Sequence, residues 1–259
     1  HALLQWLRIN WSAYNASNGE VFPAAGDIDG DGRAEIIAGL GTGGQGWFEI
    51  FDDASESYDH LAWRQVAWST YNAVNGTTHP AVGDLDGDGR SEVVLGLSSG
   101  SGGWVEVIKN SLVSYEHRDW LQLHWPAYSS SNGTTFPGVG DIDGDGRAEI
   151  VLGLGQGGGG WVEILDDATA GYGHLSWFQV PWPTYNASVG EAHPAVGDLD
   201  ADSRAEITLG LGRYAGNGGW LCAIDDAARG YVLLGWLQLN WSAFAQDGGE
   251  TFPAIGRMR

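Results

Sequence analysis

Four nine-residue segments of this 259-residue sequence carry carboxylates at their first, third, fifth and ninth positions. The first reads DIDGDGRAE, from Asp27 to Glu35. Alternate side chains of such a segment converge on one point, and glycines at positions four and six permit the tight turn. A hard cation suits these oxygen ligands, and calcium tolerates their irregular geometry better than magnesium does. The sequence therefore predicts a calcium loop in each segment, with a solvated acidic turn as the alternative.

We expect the residue at position seven to add its backbone carbonyl as a ligand. Position twelve is aliphatic (Ala38 in the first loop) where an EF-hand has a bidentate glutamate, so the loop is not an EF-hand. The fourth loop keeps its four carboxylates but replaces both glycines, so we expect three to four structural calcium ions. The predicted ligands are Asp27, Asp29, Asp31, Arg33, Glu35, Asp84, Asp86, Asp88, Arg90, Glu92, Asp141, Asp143, Asp145, Arg147, Glu149, Asp198, Asp200, Asp202, Arg204 and Glu206.

The formal net charge of −21 agrees with cation binding and disfavours nucleic acid, whose phosphates such a chain would repel. Sixteen of the 33 acidic residues, four in each of four loops, lie in these segments. No apolar run is long enough for a membrane span, so we expect no membrane insertion. Cys222, the only cysteine, is expected to be a small buried residue and can form no intrachain disulfide.

All fourteen tryptophans occupy three repeating positions, spaced by 57 residues with a two-residue insertion before Trp220. Such a period identifies a tandem repeat. The three sets are Trp47, Trp104, Trp161 and Trp220; Trp6, Trp63, Trp120, Trp177 and Trp236; and Trp11, Trp68, Trp125, Trp182 and Trp241.

Each repeat contains four short runs of strand character and no sustained helical period. We therefore predict an all-β fold, a β-propeller of four-stranded antiparallel blades in one domain over residues 1–259. The repeats cover about residues 12–68, 69–125, 126–182 and 183–241. A lone fourth strand (Leu4 to Trp11, within 1–11) and a lone first strand (Thr251 to Gly256, within 242–259) remain at the two ends. How the ring closes stays open, and self-association through these half-blades is one possibility.

In an up-and-down blade, the acidic loops lie on one face, and the glycine-rich loops before Trp47, Trp104 and Trp161 lie on the other. Freed backbone amides can bind sugar hydroxyls there, and an aromatic ring can stack on the apolar side of a sugar. We expect the Trp6 set to pack between blades and leave the Trp11 set open between packing and binding. The predicted sugar-binding residues are Trp47, Trp104, Trp161, Tyr14, Asn15, Tyr71, Asn72, His79, Tyr128, Tyr185, Asn186 and His193. With the insertion around Arg213 and Tyr214, the fourth site is expected to be altered or empty.

The pattern Asp-x-Asp-Gly-Asp-Gly-Arg-x-Glu followed by Gly-Leu resembles the FG-GAP repeat of integrin α-subunits and related propellers. The Gly-Gly-x-Gly-Trp context and the repeat length resemble mushroom lectins of the Psathyrella velutina type. The second resemblance implies binding of N-acetylglucosamine between neighbouring blades.

We therefore predict a multivalent lectin for glycans or glycoconjugates, with calcium stabilising the blades and no catalysis. An integrin-like protein-binding module is the alternative, followed by a glycan-active enzyme that would need a pair of carboxylates. We expect action outside the cell or at a cell surface, although no signal peptide is recognisable in this chain.

Overall fold

The computed structural model of the protein describes residues 5–109 and 116–255. It contains four separate four-stranded antiparallel sheets, each made from one repeat, and these sheets are the blades of a β-propeller. The predicted fold is therefore confirmed. The strands are β1 (Val21–Gly26), β2 (Glu35–Leu40), β3 (Trp47–Phe51), β4 (His60–Gln65), β5 (Thr78–Gly83), β6 (Glu92–Leu97), β7 (Trp104–Ile108), β8 (His117–Gln122), β9 (Thr135–Gly140), β10 (Glu149–Leu154), β11 (Trp161–Leu165), β12 (His174–Gln179), β13 (Ala192–Gly197), β14 (Glu206–Leu211), β15 (Trp220–Ile224) and β16 (Leu233–Gln238).

Each blade runs up and down in sequence order, so its first strand lies at one edge of the sheet and its fourth at the other. In the third blade, β9 pairs with β10 from Thr135↔Leu154 to Gly140↔Glu149. The second strands β6 and β10 are buried along their whole length, which places the apolar core in the middle of each blade. The predicted strands therefore form in the predicted order.

The first strands of consecutive blades contact one another around the propeller axis. This approach brings backbone against backbone: a Cβ at Gly96 would collide with the carbonyl of Thr135 in the next blade. The same glycine position recurs in every blade of this chain because only glycine leaves room there.

Five ring-bearing side chains from first-strand positions surround the axis: Phe22, His79, Phe136, His193 and Phe252. Consecutive members from Phe22 to Phe252 lie with ring centroids 4.1 to 4.6 Å apart, and Phe22 and Phe252 lie 6.1 Å apart. Four complete blades are therefore arranged around an axis with five positions.

The two end segments of the chain take the places of the fourth and first strands of a fifth blade. Asn10 donates its backbone N–H to Glu49 Oε2 at 2.8 Å, as Ala67 does to Glu106 at 3.0 Å. Thr251 Oγ1 accepts the N–H of Leu211 in the fourth blade, just as Thr78 Oγ1, from the first strand of the second blade, accepts the N–H of Leu40 in the first blade. Neither 5–11 nor 251–255 forms a regular ladder; the predicted end residues 1–4 and 256–259 lie outside the described part.

Short helices link the blades, which the sequence did not predict. They are α1 (Ser12–Ser17), α2 (Ser69–Val74), α3 (Pro126–Ser131), α4 (Pro183–Ser188) and α5 (Ser242–Gln246), with two 3-10 turns at Ala54–Glu56 and Ala227–Arg229. One or two turns are too short to show a helical period, so tertiary contacts must stabilise them. In the described residues, no helix is long and apolar enough to cross a membrane.

Candidate functional site

Each acidic loop follows the first strand of its blade and is folded by its own carboxylates. In the first loop, Asp27 accepts the N–H groups of Gly30 and Gly32 at 2.7 and 2.9 Å. Glu35 reaches back and accepts the Ile28 N–H at 2.8 Å. The same bonds recur in the other loops. The loops therefore hold their carboxylates in one repeated arrangement.

The ninth-position glutamates are completely buried, and each has one carboxylate oxygen without a hydrogen-bond partner. These orphan atoms are Oε1 of Glu35, Glu92, Glu149 and Glu206. Burial, with a smaller contribution from aspartates of the same loop, raises the pKa of Glu35 to about 7 and that of Glu149 to about 8. A buried carboxylate is costly without a partner, and this donor set fits a calcium ion.

The turn after the third strand contributes a further acid that sequence reasoning missed. Asp53 is buried and its carboxylate lies within reach of those of Asp31 and Glu35, so the three could share an ion. Asp167 and Asp226 are buried in the corresponding turns. The signal in the sequence was the Asp-Asp pair after the third strand in three of the four repeats.

The second and fourth acidic loops depart from the pattern in different ways. In the second, Arg118 and Lys109 donate to Asp86 Oδ2 at 2.8 and 3.3 Å, so side-chain cations already face this carboxylate. In the fourth, Ala201 and Ser203 take the left-handed conformation of the missing glycines, with φ of 68° and 75°. That conformation costs about 1 kcal/mol or more for a residue with a side chain.

Tryptophans from all three repeating sets meet at the junctions between blades, on the face opposite the acidic loops. At the junction of the first and second blades, Trp120 stands at 85° to Trp68 and at 87° to Trp104. Two indole rings, those of Trp68 and Trp104, thus stand nearly perpendicular to the ring of Trp120. We call these sites the tryptophan pockets. Trp68 ends the preceding repeat, which is why spacing along the chain did not reveal that it joins Trp104 and Trp120.

The arrangement recurs at the other junctions. We number the pockets by the blade that contributes Trp47, Trp104, Trp161 or Trp220. Cavities of about 280, 310 and 330 Å³ lie at the second, third and fourth pockets, near the lower limit of volume for small-molecule sites. The first pocket contains Trp11, Trp47 and Trp63, which pack against one apolar cluster. The three cavities are lined by Ala67, Trp68, Trp104 and Trp120; by His124, Trp125, Trp161 and Trp177; and by Pro181, Trp182, Trp220 and Trp236.

The fourth pocket is retained despite the insertion. Its three indole rings lie 5.8 to 6.0 Å apart by centroid, and Tyr214 of the insertion packs edge-on against Trp182. The insertion does alter this site: Tyr214 contacts both Trp182 and Tyr185, and the Trp220 indole N–H donates to Asn217 Oδ1 at 3.1 Å. Trp6 and Trp241, which belong to the same sets, stand at the incomplete blade and are 83% and 65% exposed.

The tyrosines predicted to bind sugar are buried behind the pockets. The Tyr71 hydroxyl donates to the Thr77 carbonyl at 2.6 Å and accepts the Ser98 N–H at 2.8 Å. Because burial and backbone bonds occupy these hydroxyls, we correct the prediction and assign Tyr14, Tyr71, Tyr128 and Tyr185 to packing.

The predicted asparagines hold the linkers between blades. Asn72 donates from its side-chain amide to the Val66 carbonyl at 2.8 Å, and Asn15 and Asn186 make the same bond in their blades. The Oδ1 atoms of Asn72 and Asn186 are buried without a partner. These residues therefore support the helix beside each pocket, and Asn72 also lines a cavity of about 500 Å³ together with Gln65 and Trp68.

The two predicted histidines do not lie at the tryptophan pockets. His79 and His193 are buried and line an axial cavity of about 350 Å³. Burial lowers the pKa of His79 to about 3, so its imidazole is neutral. The sequence prediction thus combined side chains from two different places on one face.

Comparisons with known proteins support the fold and no more. No family model and no curated protein matches the chain. The solved Dos1 propeller is similar, with a TM-score of 0.51 and 12% identity over 89% of this chain and 51% of that chain. The exotype rhamnogalacturonan lyase YesX gives a TM-score of 0.49 and 17% identity over 90% of this chain and 50% of that chain. This chain therefore spans about half the length of each of these two solved chains.

Proposed function

We propose that this propeller is a multivalent carbohydrate-binding protein whose tryptophan pockets each hold one sugar ring. The observation that carries the proposal is the repetition of three near-perpendicular indole rings at successive junctions. Such walls offer apolar faces for stacking, while the indole N–H groups can donate to sugar hydroxyls. The ligand expected from the lectin resemblance is terminal N-acetylglucosamine.

Repetition also explains how weak sites could serve a binding protein. A shallow pocket of this size suits dissociation constants from millimolar to micromolar. Several pockets on one face can raise avidity for a glycan-coated surface by about 10²–10⁴. Similar pockets at each junction favour this function over a single extended footprint for a protein partner.

Calcium has a structural part in the proposal. The acidic loops lie at the opposite ends of the first strands from the pockets. They are joined in a chain, because the Asp27 carbonyl accepts the Ser91 N–H at 2.7 Å and the Asp84 carbonyl accepts the Ala148 N–H at 2.9 Å. Ions in the loops would therefore stiffen the contacts between blades without touching a bound sugar.

A glycan array probed with and without chelator tests the class of ligand. Binding to terminal N-acetylglucosamine supports the lectin, and silence across the array in the presence of calcium overturns it in favour of a protein partner. Replacing both Trp104 and Trp161 with Ala should weaken binding to the array at least about tenfold, since two of the four pockets lose a stacking surface and the avidity of the protein falls.

The Trp241→Ala variant is the matched control, because Trp241 belongs to a repeating set but stands outside the complete pockets. Calcium-dependent melting should be unchanged in both proteins. If melting collapses in the double variant, these tryptophans are core residues and the pocket assignment is wrong.

A further inference from the structure

Beside the axial cavity, His193 meets two ligand-type side chains that neither the acidic loops nor the tryptophan pockets use. Glu191 precedes β13, His193 lies within it, and Glu250 precedes the end segment that takes the next first-strand place. Donor atoms of the three side chains all lie within 4.8 Å of one another. We call this group the axial cluster.

The tautomer of His193 is fixed by a bond to the backbone. Its Nδ1 lies 2.8 Å from the Thr251 carbonyl oxygen, which can only accept, so Nδ1 carries the hydrogen. In the neutral ring the Nε2 lone pair then points at Glu191 Oε1, 3.0 Å away, and at Glu250 Oε1, 3.6 Å away. Three electron-rich atoms therefore face one another beside a side chain that is 3% exposed.

A metal ion can bind all three of these electron-rich atoms at once, whereas a single proton cannot. One proton can bridge His193 to only one of the two carboxylates and leaves the other oxygen facing it. An imidazole whose other nitrogen donates to a backbone carbonyl is, moreover, the usual state of a metal-binding histidine.

The spacing also fits a metal. A tetrahedral ion with bonds of about 2.1 Å separates its ligands by about 3.4 Å, and the two separations from Nε2, 3.0 and 3.6 Å, lie on either side of that value.

We propose that Glu191, His193 and Glu250 bind one divalent transition metal ion, such as Zn²⁺, with water from the axial cavity completing its coordination. The acidic loops offer oxygen ligands only and suit calcium, so this nitrogen-containing site is separate from them in chemistry as well as in position. The inference does not depend on sugar binding at the tryptophan pockets.

The chain contains its own control for this site. His79 occupies the same first-strand place, and its Nδ1 faces the Thr135 carbonyl at 3.1 Å. Thr77 and Thr134 stand where Glu191 and Glu250 stand around His193. The His79 position therefore has the same tautomer without the two carboxylates.

The test is calorimetric titration of the whole chain with Zn²⁺ in a large excess of calcium, which saturates the acidic loops. Because His124, Glu163 and His174 form another group of ligand-type side chains, the axial cluster is counted as the one equivalent that wild-type protein binds in excess of His193→Phe. His193→Phe and the double variant Glu191→Thr with Glu250→Thr should each lose at least about tenfold in affinity, the size of effect typical of disturbed metal sites. These substitutions use the residues that other repeats place at the same positions, so folding should be retained.

His79→Phe should bind zinc as wild type does, and Thr77→Glu with Thr134→Glu should create a second site. Titration of the same proteins with Co²⁺ should give a ligand-field absorption band that His193→Phe removes. The proposal is overturned if wild-type protein binds no zinc above the calcium background, or if zinc binding persists unchanged in His193→Phe.

Discussion

The buried glutamates of the acidic loops make the calcium-free protein sensitive to pH. Burial raises the pKa of Glu35 and Glu92 to about 7 and that of Glu149 to about 8, from an ordinary value of 4.5. Because the folded-state pKa is the higher one, the associated stability is present below pH 4.5 and is lost as pH rises through about 7 to 8.

We therefore expect the melting temperature in chelator to fall between about pH 5 and about pH 8.5. Calcium bound to the ionised carboxylates should flatten this dependence. Differential scanning calorimetry with EDTA and with calcium measures both curves, and Glu149→Gln should reduce the slope in EDTA. A melting temperature in EDTA that does not change over this window would contradict the role given to these glutamates.

The second acidic loop should bind calcium more weakly than the first and third. Burial tends to raise the pKa of Asp86, but its bonds to Arg118 and Lys109 outweigh burial and lower it. Two cations at one ligand repel a third. Replacing Arg118 with Leu and Lys109 with Asp, the residues of the first and third repeats, should raise calcium affinity at this loop at least about tenfold. Equal affinity before and after the change, measured by calcium titration, would show that the side-chain cations do not compete.

At the scale of elements, the fourth acidic loop keeps the shape of the others at a cost. Ala201 and Ser203 hold φ values of 68° and 75°, where the first three loops have glycine. Changing both to Gly should relieve left-handed strain and stabilise the protein by about 1 kcal/mol. Denaturant unfolding in saturating calcium measures the change, with Gly146→Ala in the third loop as the reverse control, because a Cβ there meets no neighbouring atom. A destabilised double-glycine variant would mean that these side chains make contacts worth more than the strain.

The sequence predicts the strands and loops well because both depend on local patterns. The alternation in Trp177 to Trp182 and the turn glycines at Gly144 and Gly146 act over a few residues. The helices were not predicted because α3 is only six residues long and is held by Tyr128, whose buried hydroxyl is bonded to the backbone of Gly155 in the loop after β10. The sequence also could not predict which tryptophans contact one another, because Trp125 ends the second repeat while its partner Trp177 belongs to the third blade.

At the scale of the whole molecule, apolar side chains beside the fifth position of the ring are exposed among the described residues. Trp6 is 83% exposed and Leu237 is 65% exposed, whereas Phe178, the counterpart of Leu237 in the third blade, stacks on Tyr231 of the next blade. We expect two copies to associate through this surface in a concentration-dependent way. Sedimentation velocity should show dimers that Leu237→Glu abolishes. A monomer at all concentrations would exclude this contact.

The central claim is that sugar rings occupy the tryptophan pockets, and the indole N–H signals report on it directly. Of the fourteen tryptophans, twelve belong to the four blade junctions, and two, Trp6 and Trp241, stand at the incomplete blade. In a ¹⁵N-correlated titration with N-acetylglucosamine, or with the best sugar from the array, we expect shifts among the signals of those twelve. Signals of Trp6 and Trp241 should stay in place. Shifts confined to Trp6 and Trp241, or no indole shift at saturating sugar, would contradict the account.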